Sequence, residues 1–215
     1  MNVDSPPVAD NECRVRAVVF DVFGTLADIT QKRYPFKRLW DLAGNMPVSK
    51  EEYARLVMTT SLDLPAAARQ FCPWVEGKVL RELEDDVAIE TSSIRLFPEV
   101  PDVLRELRAR GVKVGICSNL AAPYAEPFAR LLPIEPDSFS WSFEVGAIKP
   151  DGRIYEHACQ QLGYFGASVL MIGDRDIEDY VGPKRAGLRA IQLRRQPSHS
   201  MVGSIPTLRG LVDHL

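Results

Sequence analysis

Short apolar runs and helix-spaced apolar stripes alternate along most of this chain, and the first run stands apart from the rest. Arg14 to Phe20 reads as a strand, and its last four residues, Ala17 to Phe20, form an unbroken apolar segment of the kind buried on both faces of a sheet. It ends on Asp21. Gly24, suited to the backbone angles of a tight turn, and the hydroxyl of Thr25 follow. A polar, turn-rich passage runs on through Asp28 and Thr30. From Gln31 to about Thr91 the period becomes helical. Ser49-Lys50-Glu51-Glu52 has the spacing of a capping box, and Tyr53, Leu56, Val57 and Thr60 follow on one face. Pro65 opens a second helix at Ala66-Ala67-Ala68, and Pro73 a longer one with Leu80, Leu83 and Val87 on one face. With no strand-like alternation, this region predicts a small helical bundle inserted after the first strand.

Beyond Phe97-Pro98 strands and helices take turns. Val100, Val103, Leu104 and Leu107 make a helix stripe stopped by Gly111; Val112 to Cys117 is a strand ending at Ser118-Asn119. A helix over about Pro123 to Leu131 and a short strand over Ser138 to Phe143 come next. Ile154, Tyr155, Ala158 and Leu162 form a stripe stopped by Gly163. Ser168 to Ile172 is a strand followed by Gly173-Asp174. A helix over about Gly182 to Ala186, a strand from Leu188 to Leu193 and a terminal helix from Pro206 to Leu215 complete the pattern. Such alternation predicts an α/β fold, a parallel sheet with helices on both faces. The division is discontinuous: residues 14–29 and 92–215 make the α/β core, and residues 30–91 a helical insertion on top. Residues up to about Asn11 read as a loose tail.

Composition narrows the function. The 215 residues have a net charge of -3, which gives no electrostatic case for nucleic acid or an anionic membrane surface. The pairs Lys32-Arg33, Lys37-Arg38 and Arg194-Arg195 read as solvated faces. No apolar run approaches a membrane span, and the N-terminus lacks the apolar core of a signal peptide. The four cysteines are widely spaced without a C-x-x-C pair, as expected of free thiols in the cytoplasm. A small-molecule substrate fits this profile; oligomeric state is not legible.

The polar residues collect at strand ends. Asp21, Ser118 with Asn119, and Asp174 each directly follow an apolar strand, and in a parallel sheet such ends share one edge, where open α/β sheets place ligands. Each alone is also readable as a turn residue or cap. Lys149, just before a helix start, reads either as a solvated loop lysine or as a cation that neutralises a reacting anion. Asp174, Asp176, Glu178 and Asp179 put four carboxylates into six residues. Such a loop is solvated or, beside Asp21, suits a hard divalent cation such as magnesium.

Asp21-x-x-Gly24-Thr25-Leu26, Ser118-Asn119, Lys149-Pro150-Asp151 and Gly173-Asp174-x-x-x-x-Asp179 resemble, in order and spacing, the four motifs of the haloacid dehalogenase (HAD) superfamily. The resemblance covers roughly residues 14–29 and 92–195 and implies a Rossmann-like core, with residues 30–91 as the family's small helical cap. It implies a hydrolase in which Asp21 is the nucleophile and forms a covalent ester or aspartyl phosphate. Ser118, with Thr25 and nearby backbone amides, binds the anionic group; Asn119 helps place the substrate; Lys149 offsets charge and orients Asp21. Mg2+ is held by Asp21, Asp174 and the backbone carbonyl of Phe23, with Asp179 supporting.

One departure matters. Phosphatases of this family carry an aspartate two residues after the nucleophile, and here that residue is Phe23. General acid-base help is worth roughly 10²–10⁴-fold, and Phe23 cannot supply it. An aromatic there resembles the metal-independent 2-haloacid dehalogenases, whose halide leaves without a proton. The acidic fourth motif resembles the phosphatases, and the carboxylate-binding arginine of the dehalogenases has no clear match: Arg33 and Arg38 are candidates only by proximity to the cap, and the role is not carried over to them. The acidic loop weighs more, because packed carboxylates repel unless a cation joins them. The expectation is a Mg-dependent phosphatase of a small metabolite with reduced acid-base capability. The alternatives are a 2-haloacid dehalogenase and a non-catalytic protein that binds a ligand or partner. Tyr34, Lys37, Trp40, Tyr53 and Trp74 are candidates to line the site, with most of them expected in the core of the bundle.

Overall fold

The computed structural model describes residues 14–44, 48–195 and 203–215. In chain order the elements are β1 Ala17–Phe20, β2 Ala27–Ile29, α1 Pro35–Ala43, α2 Lys50–Thr59, α3 Leu64–Phe71, α4 Gly77–Ser92, β3 Ile94–Leu96, α5 Val100–Ala109 and β4 Lys113–Ser118. They continue with α6 Ala125–Ala129, β5 Ser138–Trp141, α7 Ser142–Val145, α8 Gly152–Leu162, β6 Val169–Gly173, α9 Gly182–Arg185, β7 Arg189–Leu193 and β8 Ser204–Ile205.

Six strands form one sheet in the order β5-β4-β1-β6-β7-β8, every pair parallel. The chain leaves β1, builds outward on one side through β4 and β5, then crosses to the other side at β6. β1 is therefore the switch point, and its carboxyl end opens on the crevice that such sheets offer to ligands. Side-chain alternation explains its unbroken apolar run. Val18 and Phe20 pack on the face that carries α5 and the inserted helices, while Ala17 and Val19 pack with Ile154, Tyr155 and Ala158 of α8 on the other. The Gly-stopped helices fall where the stripes placed them: α5 buries Val100, Val103, Leu104 and Leu107, and α8 ends on Gly163 at φ 72°, whose N–H donates to the carbonyl of Cys159. The predicted α/β class with a parallel sheet is the observed one.

Several local expectations are corrected. Residues 27–29, read within a turn-rich passage, and residues 94–96, given no element, pair as a two-stranded antiparallel ribbon, Ala27 with Leu96 and Ile29 with Ile94. Three-residue strands are too short to show alternation. Pro73 opens no helix: it lies in a turn in which the Val75 N–H donates to the Cys72 carbonyl, and the long helix starts at Gly77. The strand predicted through Phe143 stops at Trp141, where α7 begins. The helix expected at Gly182 is preceded by a π-helix, Asp176–Val181, and the C-terminal helix is a 3-10 segment, Leu208–His214. The N-terminal tail lies outside the described residues. No described helix is long and apolar enough to cross a membrane.

Candidate active site

Strand register brings the separated motifs together. Phe20 pairs with Ile116 on one side and Ile172 on the other, so Asp21, Ser118 and Asp174 leave three adjacent strands at nearly the same level. The Asp21 N–H donates to the carbonyl of Ile172 at 2.9 Å, which fixes where the side chain starts. Ser118 Oγ donates to Asp21 Oδ1 at 3.0 Å, and Lys149 Nζ donates to the same oxygen at 2.7 Å. Among the described residues no hydrogen bond is made to Asp21 Oδ2, which leaves one carboxylate oxygen uncommitted.

Lys149 is 3% exposed and also donates to Asp179 Oδ1 at 2.6 Å. Burial alone works to lower its pKa, but the charges of Asp21 and Asp179 outweigh this and hold the ammonium protonated. Asn119 sets the lysine's backbone: its Oδ1 accepts from the Lys149 N–H at 2.7 Å and its Nδ2 donates to the Lys149 carbonyl at 3.0 Å. Both ends of the Asn119 amide are thus engaged in placing Lys149, while the residue still lines the cavity beside Asp21.

The acidic loop is built by close approach. Asp179, fully buried, accepts from the Arg175 N–H through Oδ2 at 3.0 Å. A Cβ on Gly173 would lie 2.2 Å from the Asp179 carboxyl carbon, and one on Gly24, at φ +90°, would lie 2.5 Å from Asp174 Oδ2. Only glycine lets the two loops meet. The π-helix over Asp176–Val181 carries Asp179 in its widened turn, a distortion common at functional sites. Burial pushes the Asp179 carboxyl up to about 6, with Asp21 adding to the rise and Lys149 opposing it. Burial and the Asp21 charge raise Asp174 as well.

These residues fit a hard divalent cation. Asp21, Asp174 and Asp179 offer carboxylate oxygens all within 4.8 Å of one another, and Asp174 Oδ1 is buried with no hydrogen-bond partner among the described residues. A buried, unpaired carboxylate oxygen is costly unless something cationic joins it. Both oxygens of Asp179 are already bonded, which suits a supporting position better than a direct one.

A cavity of about 300 Å³ lies against Asp21, Ser118 and Lys149, faced by Phe23, Met58 of α2 and Glu178. A second, of about 490 Å³, extends towards α1 past Ile29, Tyr34 and Tyr124. Phe23 lines both, with its ring edge-on to Tyr124 at 6.1 Å. Thr25 lines neither: it is fully buried, and its hydroxyl has no hydrogen-bond partner. Of the aromatic candidates, Tyr34 faces the larger cavity, and Lys37 lies there too, paired with Asp41 at 2.6 Å. Tyr53 is buried among the helices, whereas Tyr34 and Trp74 are more than half exposed, against the expectation that most would be core. Arg38 pairs with Asp86 of α4 and lines neither cavity.

Two contributors escaped the sequence reading. Arg195 is no solvated residue. It donates to the carbonyls of Gly24 at 3.2 Å and Thr25 at 2.6 Å, pairs with Glu99 at 2.5 Å and stacks 3.6 Å over the Phe97 ring. It thereby clamps the loop after Asp21; although burial raises the Glu99 carboxyl, the Arg195 hydrogen bond and charge hold it below the ordinary range. Nothing in a terminal Arg-Arg pair signals this, because the partners are about 100 and 170 residues away. Glu90 of α4 is the other: Oε1 accepts from the N–H groups of Arg33 and Tyr34 at 2.5 and 2.6 Å, and Oε2 from the Tyr124 hydroxyl at 2.5 Å. A signal existed, since Glu90 continues the Leu83–Val87 stripe at helical spacing.

Comparison with known proteins gives the family. Residues 15–187 match the family model of haloacid dehalogenase-like hydrolases. The chain belongs to that family. It is 26% identical over 186 residues to a phosphoglycolate phosphatase of Synechococcus elongatus, covering 82% of each chain. It is 28% identical over 184 residues to an (S)-2-haloacid dehalogenase of a Pseudomonas species, covering 74% of each. Among solved structures, a HAD phosphatase from Thermococcus onnurineus superposes with a TM-score of 0.62 at 21% identity, over 93% of this chain and 97% of that one, a likeness of fold. Further relatives also carry phosphatase names. The protein is therefore a HAD-family hydrolase, with its relatives favouring a phosphatase over a dehalogenase.

Proposed function

We propose that this hydrolase cleaves a small phosphorylated metabolite with Mg2+, preferring good leaving groups. The observation that carries the reading is Asp174 Oδ1, buried and unpaired beside the carboxylates of Asp21 and Asp179. Asp21 and Asp174 would hold the ion with the Phe23 carbonyl, supported by Asp179; it would neutralise charge on the phosphoryl group. Asp21 Oδ2 attacks phosphorus, and the bond to the leaving oxygen breaks with its electron pair on that oxygen, which takes a proton from solvent; water then attacks the phosphorus of the aspartyl phosphate, the bond to Oδ2 breaks, and phosphate and the Asp21 carboxylate are released. Lys149 and Ser118 hold Oδ1 and so aim Oδ2. The inserted helices act as the cap, covering the site with Met58 and Tyr34. A cytoplasmic location is part of this reading, supported by thiols that form no disulfide among the described residues: Cys72, Cys117 and Cys159 are free and buried.

Hydrolysis of 4-nitrophenyl phosphate and acetyl phosphate is expected with Mg2+ and should vanish in EDTA. Turnover no greater than that of Asp21→Asn would sink the reading. Phe23 favours a second one: an apolar ring beside the nucleophile suits a departing halide. Chloride release from 2-chloropropionate in EDTA would establish it in place of the first. Under the phosphatase reading, Phe23→Asp should raise hydrolysis of alkyl phosphates by about 10²-fold, because a carboxyl there can protonate a poor leaving group. An unchanged or lower rate counts against it.

A further inference from the structure

The cations around the two cavities are not equivalent. Lys149 is bound to Asp21 and Asp179, Lys32 lies 3.1 Å from Asp28, and Lys37 lies 2.6 Å from Asp41. Arg175 is the fourth, and its guanidinium has no hydrogen-bond or ion-pair partner among the described residues; it is felt only as a charge by Asp174. It also stands at a particular place. Phe23, Asn119 and Arg175 are the three residues common to both cavities, so Arg175, an exposed residue, lies where the space beside Asp21 meets the larger space beyond.

Its backbone is fixed on both sides. The Arg175 N–H donates to Asp179 Oδ2, and its carbonyl accepts from the Asp179 N–H, both at 3.0 Å. From that fixed anchor the side chain offers five donors in a planar fork, a geometry that matches a planar oxyanion. The walls beyond it are largely apolar: Ile29, Phe36, Leu120 and Tyr124 face the larger cavity. An exposed cation without a partner among the described residues, at the edge of such walls, matches a ligand with a hydrophobic body and a separate negative group.

We infer that Arg175 is a specificity residue that binds a second anionic group of the substrate, a carboxylate, while the phosphate lies at Asp21. The substrate class is thus a phosphorylated carboxylic acid with an apolar spacer. The inference rests on the phosphatase reading and deepens it.

Two aryl phosphates with similar leaving groups test it: 4-carboxyphenyl phosphate and its neutral counterpart, 4-carbamoylphenyl phosphate. The wild-type chain with Mg2+ should favour the carboxylate by roughly 10- to 100-fold in kcat/KM, the usual worth of a charged hydrogen bond, expressed mainly in KM. Arg175→Met should collapse the ratio, and Arg175→Lys should keep part of it. Because a ratio is read, a general loss of activity does not mimic the effect. No preference in the wild type, or a ratio unchanged in Arg175→Met, overturns the role of Arg175 and leaves the phosphatase reading standing. If neither ester is cleaved beyond the Asp21→Asn control, that reading fails. Thermal stabilisation by the same pair then decides for Arg175: equal shifts overturn it, and a carboxylate-specific shift lost in Arg175→Met supports it.

Discussion

Asp21→Asn should reduce phosphate ester hydrolysis by roughly 10⁴-fold or more, the scale on which loss of a covalent nucleophile acts. Asparagine is nearly the same size, and its amide can keep a contact to Ser118. What disappears is the charged oxygen. Lys149 and Ser118 both engage Oδ1, so catalysis depends on Oδ2, to which no described residue hydrogen-bonds. The variant should fold, because Lys149 keeps its contact with Asp179 at 2.6 Å. Steady-state kinetics with 4-nitrophenyl phosphate check the loss, and thermal melting checks the fold. A variant retaining a tenth of wild-type kcat would exclude Asp21 as the nucleophile.

Lys149→Met should have the largest effect on stability. Lys149 is the shared cation between two buried carboxylates, and removing one partner of a buried ion pair costs about 3–5 kcal/mol. For a chain of this size that is a fall in Tm of roughly 6–20 °C, measured in EDTA so that no metal offsets it. The loss should depend on pH with a definite sign. Burial already holds Asp179 at about 6 with Lys149 present; without the ammonium it rises further. A carboxyl whose folded pKa lies above its unfolded value favours folding while protonated and loses that contribution as pH rises through the folded pKa. The Tm deficit should therefore be smaller at pH 5 and larger at pH 8. A deficit independent of pH would mean that the orphaned carboxylates are not its cause.

Particular residues show how much of this was legible beforehand. Asp21, Ser118, Lys149 and Asp174 were readable because each follows or precedes an element in a repeating strand–helix pattern, and a parallel sheet gathers such ends on one edge. Thr25 was readable in the same motif, yet its hydroxyl is sealed below the loop, since a motif fixes residue types and not which way a side chain faces. Arg195 and Glu90 join segments far apart in the chain, and no local pattern reports such a contact. The β2–β3 ribbon escaped for a related reason: its two short strands gain their meaning from each other.

The α/β class, the positions of most strands and helices, and the family follow from residue order alone, because periodicity and motif spacing are local and survive without coordinates. Residue order also sets the chemical limit at position 23, where a phenyl ring replaces a carboxyl. Which atoms meet is set by the folded chain. It put Lys149 between Asp21 and Asp179, left Asp174 Oδ1 buried and unpaired, and set Arg175 where two cavities join. Those facts depend on strand register and on distances between residues far apart in the chain, and such quantities exist only once the chain has folded.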